Sequence, residues 1–194
     1  MMEGRIRCAA LRDKCVSAEA AAGLIQDGMT VAISGFTASG CPKEVPLALA
    51  RQVSAGERQV QINLWTGAST GREVDEALAS AGVIARRLPY QSDPTLRRAI
   101  NSSQAAYTDL HLSQVADRAR RGFLGEVDVC LVEACVIRED GGLIPTTAVG
   151  NTPCFITEAK QVIVELNLAQ PAELEGLHDI YRPDGALIPI DSAA

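Results

Sequence analysis

The chain has 194 residues, 47% of them apolar and 22% charged, which suits a single folded domain with a buried core and excludes a large multidomain machine within this length. Its net charge of −6 supplies no diffuse positive field, so neither nucleic acid nor an anionic membrane surface is expected as a partner. No apolar run approaches the roughly 18 residues that a bilayer span needs, and Arg5, Arg7, Arg12 and Lys14 interrupt the stretch where an export signal would require an apolar core.

In chain order, Ser17 is placed to cap a helix over 18–26, with Glu19 complementing its dipole and Asp27 and Gly28 ending it. A short apolar strand over 30–33 follows, then the small-residue loop SGFTASG and a helix near 42–53, in which Pro46 suggests the true start. The same syntax returns as a strand over 60–65, the loop TGASTG, a helix over 72–80 and a strand over 83–88. After the loop PYQSDP, helices are expected over 94–102 and 112–121, and apolar strands over 127–132 and 161–166. The segment from Glu139 to Leu143 carries the Asp-Gly turn chemistry of a hairpin.

Apolar strands alternating with amphipathic helices predict an α/β fold, an open and mostly parallel sheet with helices on both faces, in one domain spanning 1–194. Ligands of such sheets bind beyond the C-terminal ends of the strands, so the three small-residue loops are expected to gather on one edge. There glycine lets the backbone approach a ligand, and helix N-termini present unpaired N–H groups to an anionic oxygen.

Six cysteines and two histidines form no C-x-x-C pair and no zinc-ligand spacing, so no metal is expected and the thiols read as reduced, in a cytoplasmic protein. Cys41 has only Lys43 nearby in sequence to favour a thiolate, and is not taken as a nucleophile. His111 and His178 lack a paired nucleophile and read as structural. Glu133, ending the apolar run VCLVE, reads foremost as a salt-bridged structural carboxylate and alternatively as a buried acid with raised pKa. TGASTG also matches the start of a dehydrogenase fingerprint, but Glu73 and its neighbours stand where a third glycine belongs, and no tyrosine has a lysine four residues on. A nucleotide-binding oxidoreductase is therefore the lesser alternative.

The string DGMTVAISGFTASGCP resembles the N-terminal signature of the class I coenzyme A transferases, with Ser34 in place of the first glycine. Its continuation through KEVP, NLWTGASTG and VDVCLVEACVIREDGGLIPTTAVGNT is similar, more narrowly, to the acetyl-CoA hydrolase and succinyl-CoA:acetate CoA-transferase branch. The resemblance runs from about Arg5 to His178 and Asp179 and corresponds to the N-terminal part of a family member.

It implies an activity that moves coenzyme A between small carboxylic acids such as acetate, propionate or succinate, or hydrolyses acetyl-CoA, with CoA thioesters as substrates and no permanently bound cofactor. It also implies that Gly35, Phe36, Thr37, Gly40, Gly67, Ser69 and Ser92 belong to an acyl or carboxylate pocket. For Ser69 and Ser92 the alternative of helix capping stands equally open. The family's glutamate nucleophile and glycine-rich oxyanion loop belong to its C-terminal half. Neither Glu133 nor Glu165 lies in a matching motif, so no catalytic residue is assigned in this chain, which is expected to be truncated, to require a C-terminal domain or subunit, and to self-associate through an uncovered sheet face. A noncatalytic remnant or partner-binding subunit is the second hypothesis.

Overall fold

The computed structural model describes residues 4–178 and Ile180; Asp179, where the resemblance ends, lies outside the described residues. A one-turn helix, α1 (Ala9–Arg12), precedes α2 (Ala18–Gly23), whose N-terminus is capped as the sequence suggests: Ser17 Oγ accepts the Ala20 N–H at 3.1 Å. The helix ends at Gly23, short of the expected 26. The chain then alternates β1 (Thr30–Ile33), α3 (Glu44–Ser54), β2 (Ile62–Thr66), α4 (Asp75–Ser80), β3 (Ile84–Leu88) and α5 (Pro94–Asn101). It continues through β4 (Ala106–Tyr107), α6 (Leu112–Arg120), β5 (Val127–Ile137), β6 (Leu143–Pro145), α7 (Thr152–Glu158) and β7 (Ala159–Leu166).

Two helix starts differ from expectation for identifiable reasons. Pro46 does not begin α3 but occupies its first turn, where a missing N–H costs nothing because that group would have no intrahelical partner. α4 begins at Asp75 rather than 72, because the Gly71 carbonyl accepts both the Val74 and Asp75 N–H groups and closes a turn first.

The strands form one seven-stranded sheet in the order β4-β3-β2-β1-β5-β6, with β7 also paired to β5. Every pairing is parallel except β5 with β6. β5 is longer than its apolar core suggests. Val127–Glu133 pair with β7, and the strand then continues past them to pair with β6 across the predicted turn, where Gly142 N–H donates to Asp140 Oδ1 at 3.0 Å.

Both faces are covered. Val31 and Ile33 of β1, Ile62 and Leu64 of β2 and Val129 and Leu131 of β5 pack with α2, α3, α4 and α5. The alternate residues Ala32, Trp65, Cys130 and Val132 pack with α6 and α7 through Val115, Ala119 and Phe155. This alternation is the strand period of two expressed in a sheet buried on both sides. β7 differs: none of its residues is buried.

Leu64 is fully buried at the centre of the larger cluster. Truncating it to alanine should cost about 2–5 kcal/mol in urea-induced unfolding, whereas Val162→Ala on the exposed part of β7 should shift stability far less. Equal effects at the two positions would contradict this assignment of the core.

Candidate functional site

Because β1, β2 and β3 run parallel, the segments that leave them emerge on the same edge: residues 34–42 after β1, 67–74 after β2 and 89–93 after β3. They touch in sequence. A bridge joins Thr37 to Thr70, and Gly71 lies so close to Ala38 that an added Cβ would stand 3.3 Å from it. Ser69 Oγ and Ser92 Oγ are 2.6 Å apart, and the Ser92 N–H donates to Ser69 Oγ at 3.2 Å. One hydroxyl hydrogen is consumed between the two serines, which leaves the other for an external acceptor. Ser69 is buried and Ser92 is exposed, so the pair reaches from inside the edge to its surface.

Neither serine caps a helix. Asp93 caps α5, its Oδ1 accepting the Thr95 and Leu96 N–H groups at 2.8 Å each, and the N-cap position of α4 is Val74.

A fourth segment, residues 146–151 between β6 and α7, closes on the first loop and was not singled out by sequence reasoning. The Asn151 N–H donates to Ser34 Oγ at 2.7 Å. Ser34, which departs from the signature glycine, is buried and directs its hydroxyl into the space left by Gly67 and Gly150, where a Cβ on either would collide with it. Gly40 is constrained twice: its φ is +68° and a Cβ would strike the Ala148 carbonyl. Gly35 is buried at the root of the first loop, while Phe36 and Thr37 stand exposed at its tip. Phe36 at 63% exposure and Tyr90 at 59% are exposed aromatic residues on the loops after β1 and β3.

Thr70 Oγ1, Gln91 Oε1 and Asn151 Nδ2 are buried side-chain atoms without a hydrogen-bond partner among the described residues. All three belong to loops of this edge.

The charged groups behind the loops are committed to one another. Glu133 is buried; its Oε2 accepts from Lys43 Nζ at 2.8 Å and its Oε1 from Thr146 Oγ1 at 2.7 Å and Asn167 Nδ2 at 3.2 Å. Lys43 Nζ also donates to the Cys41 carbonyl at 2.8 Å. Burial alone would lower the Lys43 pKa, but the hydrogen bond and charge of Glu133, with Cys41 and Glu165 adding to them, outweigh it and hold the ammonium above its usual value. Glu165 of β7 caps α3 from a distance, accepting the Lys43 N–H at 2.6 Å and the Val45 N–H at 3.0 Å. No local pattern could reveal this cap, since its donor and acceptor lie on different elements.

Cys41 is buried, and burial pushes its thiol up to about 12. His111 caps α6 through Nδ1, and His178 Nε2 donates to the Thr146 carbonyl at 2.7 Å. Among the described residues no cluster of His, Cys, Asp or Glu is arranged for a metal, and no helix is long and apolar enough to cross a membrane.

Glycine- and serine-bearing loops gathered beyond the strand ends of a parallel sheet define an α/β domain with its loops on the edge where such sheets commonly bind ligands. Its sequence settles which kind: the chain belongs to the acetyl-CoA hydrolase/transferase N-terminal domain family, whose profile matches residues 3–191. It is 49% identical over 179 residues to a succinyl-CoA:acetate CoA-transferase of Clostridium kluyveri, covering 92% of this chain and 33% of that protein. It is 35% identical over 192 residues to an acetyl-CoA hydrolase of Kluyveromyces lactis, covering 94% of this chain and 36% of that one. The chain thus spans about a third of the length of the curated relatives it matches. Among solved structures, glutaconate coenzyme A-transferase from Acidaminococcus fermentans shares the fold, with a TM-score of 0.60 at 13% identity over 77% of this chain and 68% of that one.

The buried thiols set a pH dependence. Cys41 and Cys130 ionise at about 12 in the folded protein against an ordinary 9.0, so above that value the unfolded chain loses its thiol protons first. Stability should be flat in this respect below pH 9 and fall as pH rises toward 12, and the loss of the Lys43 proton acts in the same direction. Denaturant unfolding at pH 7 and pH 10 checks this; a Cys41→Ala variant should show a shallower fall, and an identical one would contradict the role of its burial.

Proposed function

We propose that this chain forms the acid-binding wall of an enzyme that transfers coenzyme A between small carboxylic acids, such as acetate, propionate and succinate, or hydrolyses acetyl-CoA. The observation that carries the proposal is the Ser69–Ser92 pair, two hydroxyls 2.6 Å apart where three loops of the ligand edge meet. The hydrogen that the pair does not use internally donates to a carboxylate oxygen of the acid. Gly35, Gly40 and Gly67 keep the surrounding backbone close, and Phe36, Thr37 and Tyr90 form the outer rim that limits water. The unpaired Thr70, Gln91 and Asn151 atoms support the same edge as the place where further contacts form, because buried polar atoms without partners are costly.

In the proposed reaction a glutamate carboxylate attacks the acyl-CoA thioester, giving a mixed anhydride and CoA thiolate. The thiolate then attacks the glutamyl carbonyl, leaving a glutamyl-CoA thioester and releasing the acid; a second acid reverses the sequence. Glu133 and Glu165 are both engaged in hydrogen bonds within the fold, which supports assigning the nucleophile to a C-terminal domain or separate subunit. No permanent cofactor enters the scheme. Reduced cysteines support a cytoplasmic setting, and β7, with no buried residue, supports assembly with that partner or a second copy. The same exposed strand favours, as a second reading, a noncatalytic subunit that binds a partner chain.

Co-expression with the C-terminal two thirds of the Clostridium kluyveri relative, assayed with acetyl-CoA and succinate, tests the proposal. Transfer should appear only in the assembled pair. Ser69→Ala should lower kcat/KM by about tenfold to a hundredfold, the worth of a hydrogen bond to a charged group. An assembled pair without transfer would favour the noncatalytic subunit, and an unchanged rate would remove Ser69 from the acid pocket.

A further inference from the structure

Behind the serine pair lies a fully buried ion pair. Asp75, the first residue of α4, and Arg87, near the end of β3, have side chains 0% exposed. Arg87 Nε donates to Asp75 Oδ1 at 3.1 Å and Nη2 to Oδ2 at 3.3 Å, a two-pronged contact of the kind that arginine's planar fork favours. The remaining groups are used as well. Asp75 Oδ2 accepts the backbone N–H of Thr70 at 3.0 Å, and Arg87 Nη1 donates to the carbonyls of Leu88 at 2.9 Å and Pro89 at 3.3 Å.

A packing requirement does not account for this arrangement. Well-packed apolar residues of similar volume commonly replace a buried ion pair at no loss of stability. What apolar residues cannot do is hold backbone groups of two loops at once. Here the carboxylate grips the residue next to Ser69, and the guanidinium grips the two carbonyls that open the loop carrying Ser92. The charge pair thus holds backbone groups in both serine-bearing loops while touching neither hydroxyl.

We propose that Asp75 and Arg87 are positioning residues: together they fix the loop after β2 against the loop after β3 and so set the geometry of the Ser69–Ser92 pair. The enzymatic consequence rests on the function proposed above, whereas the positioning itself can be read in this chain alone. Two amides report it directly, since Thr70 N–H donates to Asp75 and Ser92 N–H donates to Ser69. Leu64 and Ile84, buried within β2 and β3, serve as references for the core.

Hydrogen exchange followed by NMR should show that Asp75→Asn speeds exchange at Thr70 and Ser92 at least tenfold while Leu64 and Ile84 keep their protection. If Asp75→Asn does not fold, the double variant Asp75→Leu/Arg87→Met, which removes both charges together, is read by the same criterion. Unchanged exchange at Thr70 and Ser92, or an equal increase at all four amides, would overturn the proposal, the second because it marks a purely structural role. In the assembled enzyme, the loss of kcat/KM caused by Asp75→Asn should shrink to less than twofold once Ser69 is alanine, whereas full additivity of the two losses would overturn the proposal. An assembly inactive with every residue intact would sink the functional reading and leave the exchange result to judge the positioning.

Discussion

The parallel hydrogen bonding of β3, β2, β1 and β5 is the constraint on which the rest depends. Four strands that run the same way must all release their chains at the same edge, so the loops after β1, β2 and β3 have no choice but to lie side by side. Helices α2–α5 cover one face of the sheet and α6 and α7 the other, so the loops stand beyond the covered faces, at the strand ends. Small residues in the loops then decide how closely they meet, as at Gly40 against the Ala148 carbonyl and Gly67 against the Ser34 hydroxyl.

Behind this edge two charge networks do different jobs. Lys43 and Glu133, with Glu165 capping α3, anchor the exit of the first loop to β5 and β7. Asp75 and Arg87 couple the second loop to the third. Each set is held by several hydrogen bonds, the condition under which buried charge is tolerated. The domain therefore presents hydroxyls, amides and exposed aromatic rings at its rim and keeps Glu133, Glu165 and Asp75 engaged, which supports the proposed role of a wall that receives a carboxylic acid.

Much of this was legible in the sequence because it is written locally. Apolar runs at 30–33, 83–88 and 127–132, and the Ser17 cap, are signals carried by neighbouring residues. The small-residue loops were visible for the same reason, and the strand-end rule placed them on one edge. What was missed depends on distant contacts. α7 is built from Thr152, Pro153, Phe155 and Ile156, poor helix formers whose helix is secured by burying Phe155 against the sheet. β4 is two residues long and exists only as a partner to β3. The 146–151 loop and the Glu165 cap join residues 117 and 122 positions apart, and the Asp75–Arg87 pair joins a helix to the strand after it, so no spacing rule could announce them. Ser34, a departure from the glycine of the signature, turned out to be a joint between the first and fourth loops.

The central claim is that this edge receives a small carboxylate. An NMR titration of the isotope-labelled chain with acetate or succinate addresses it without any partner chain. The account predicts shifts concentrated at Ser69, Ser92 and their neighbours in the loops after β1, β2 and β3. Shifts centred on the opposite side of the sheet, along α4 and α5 at Ser80 and Arg98, or none at millimolar acid, would contradict it.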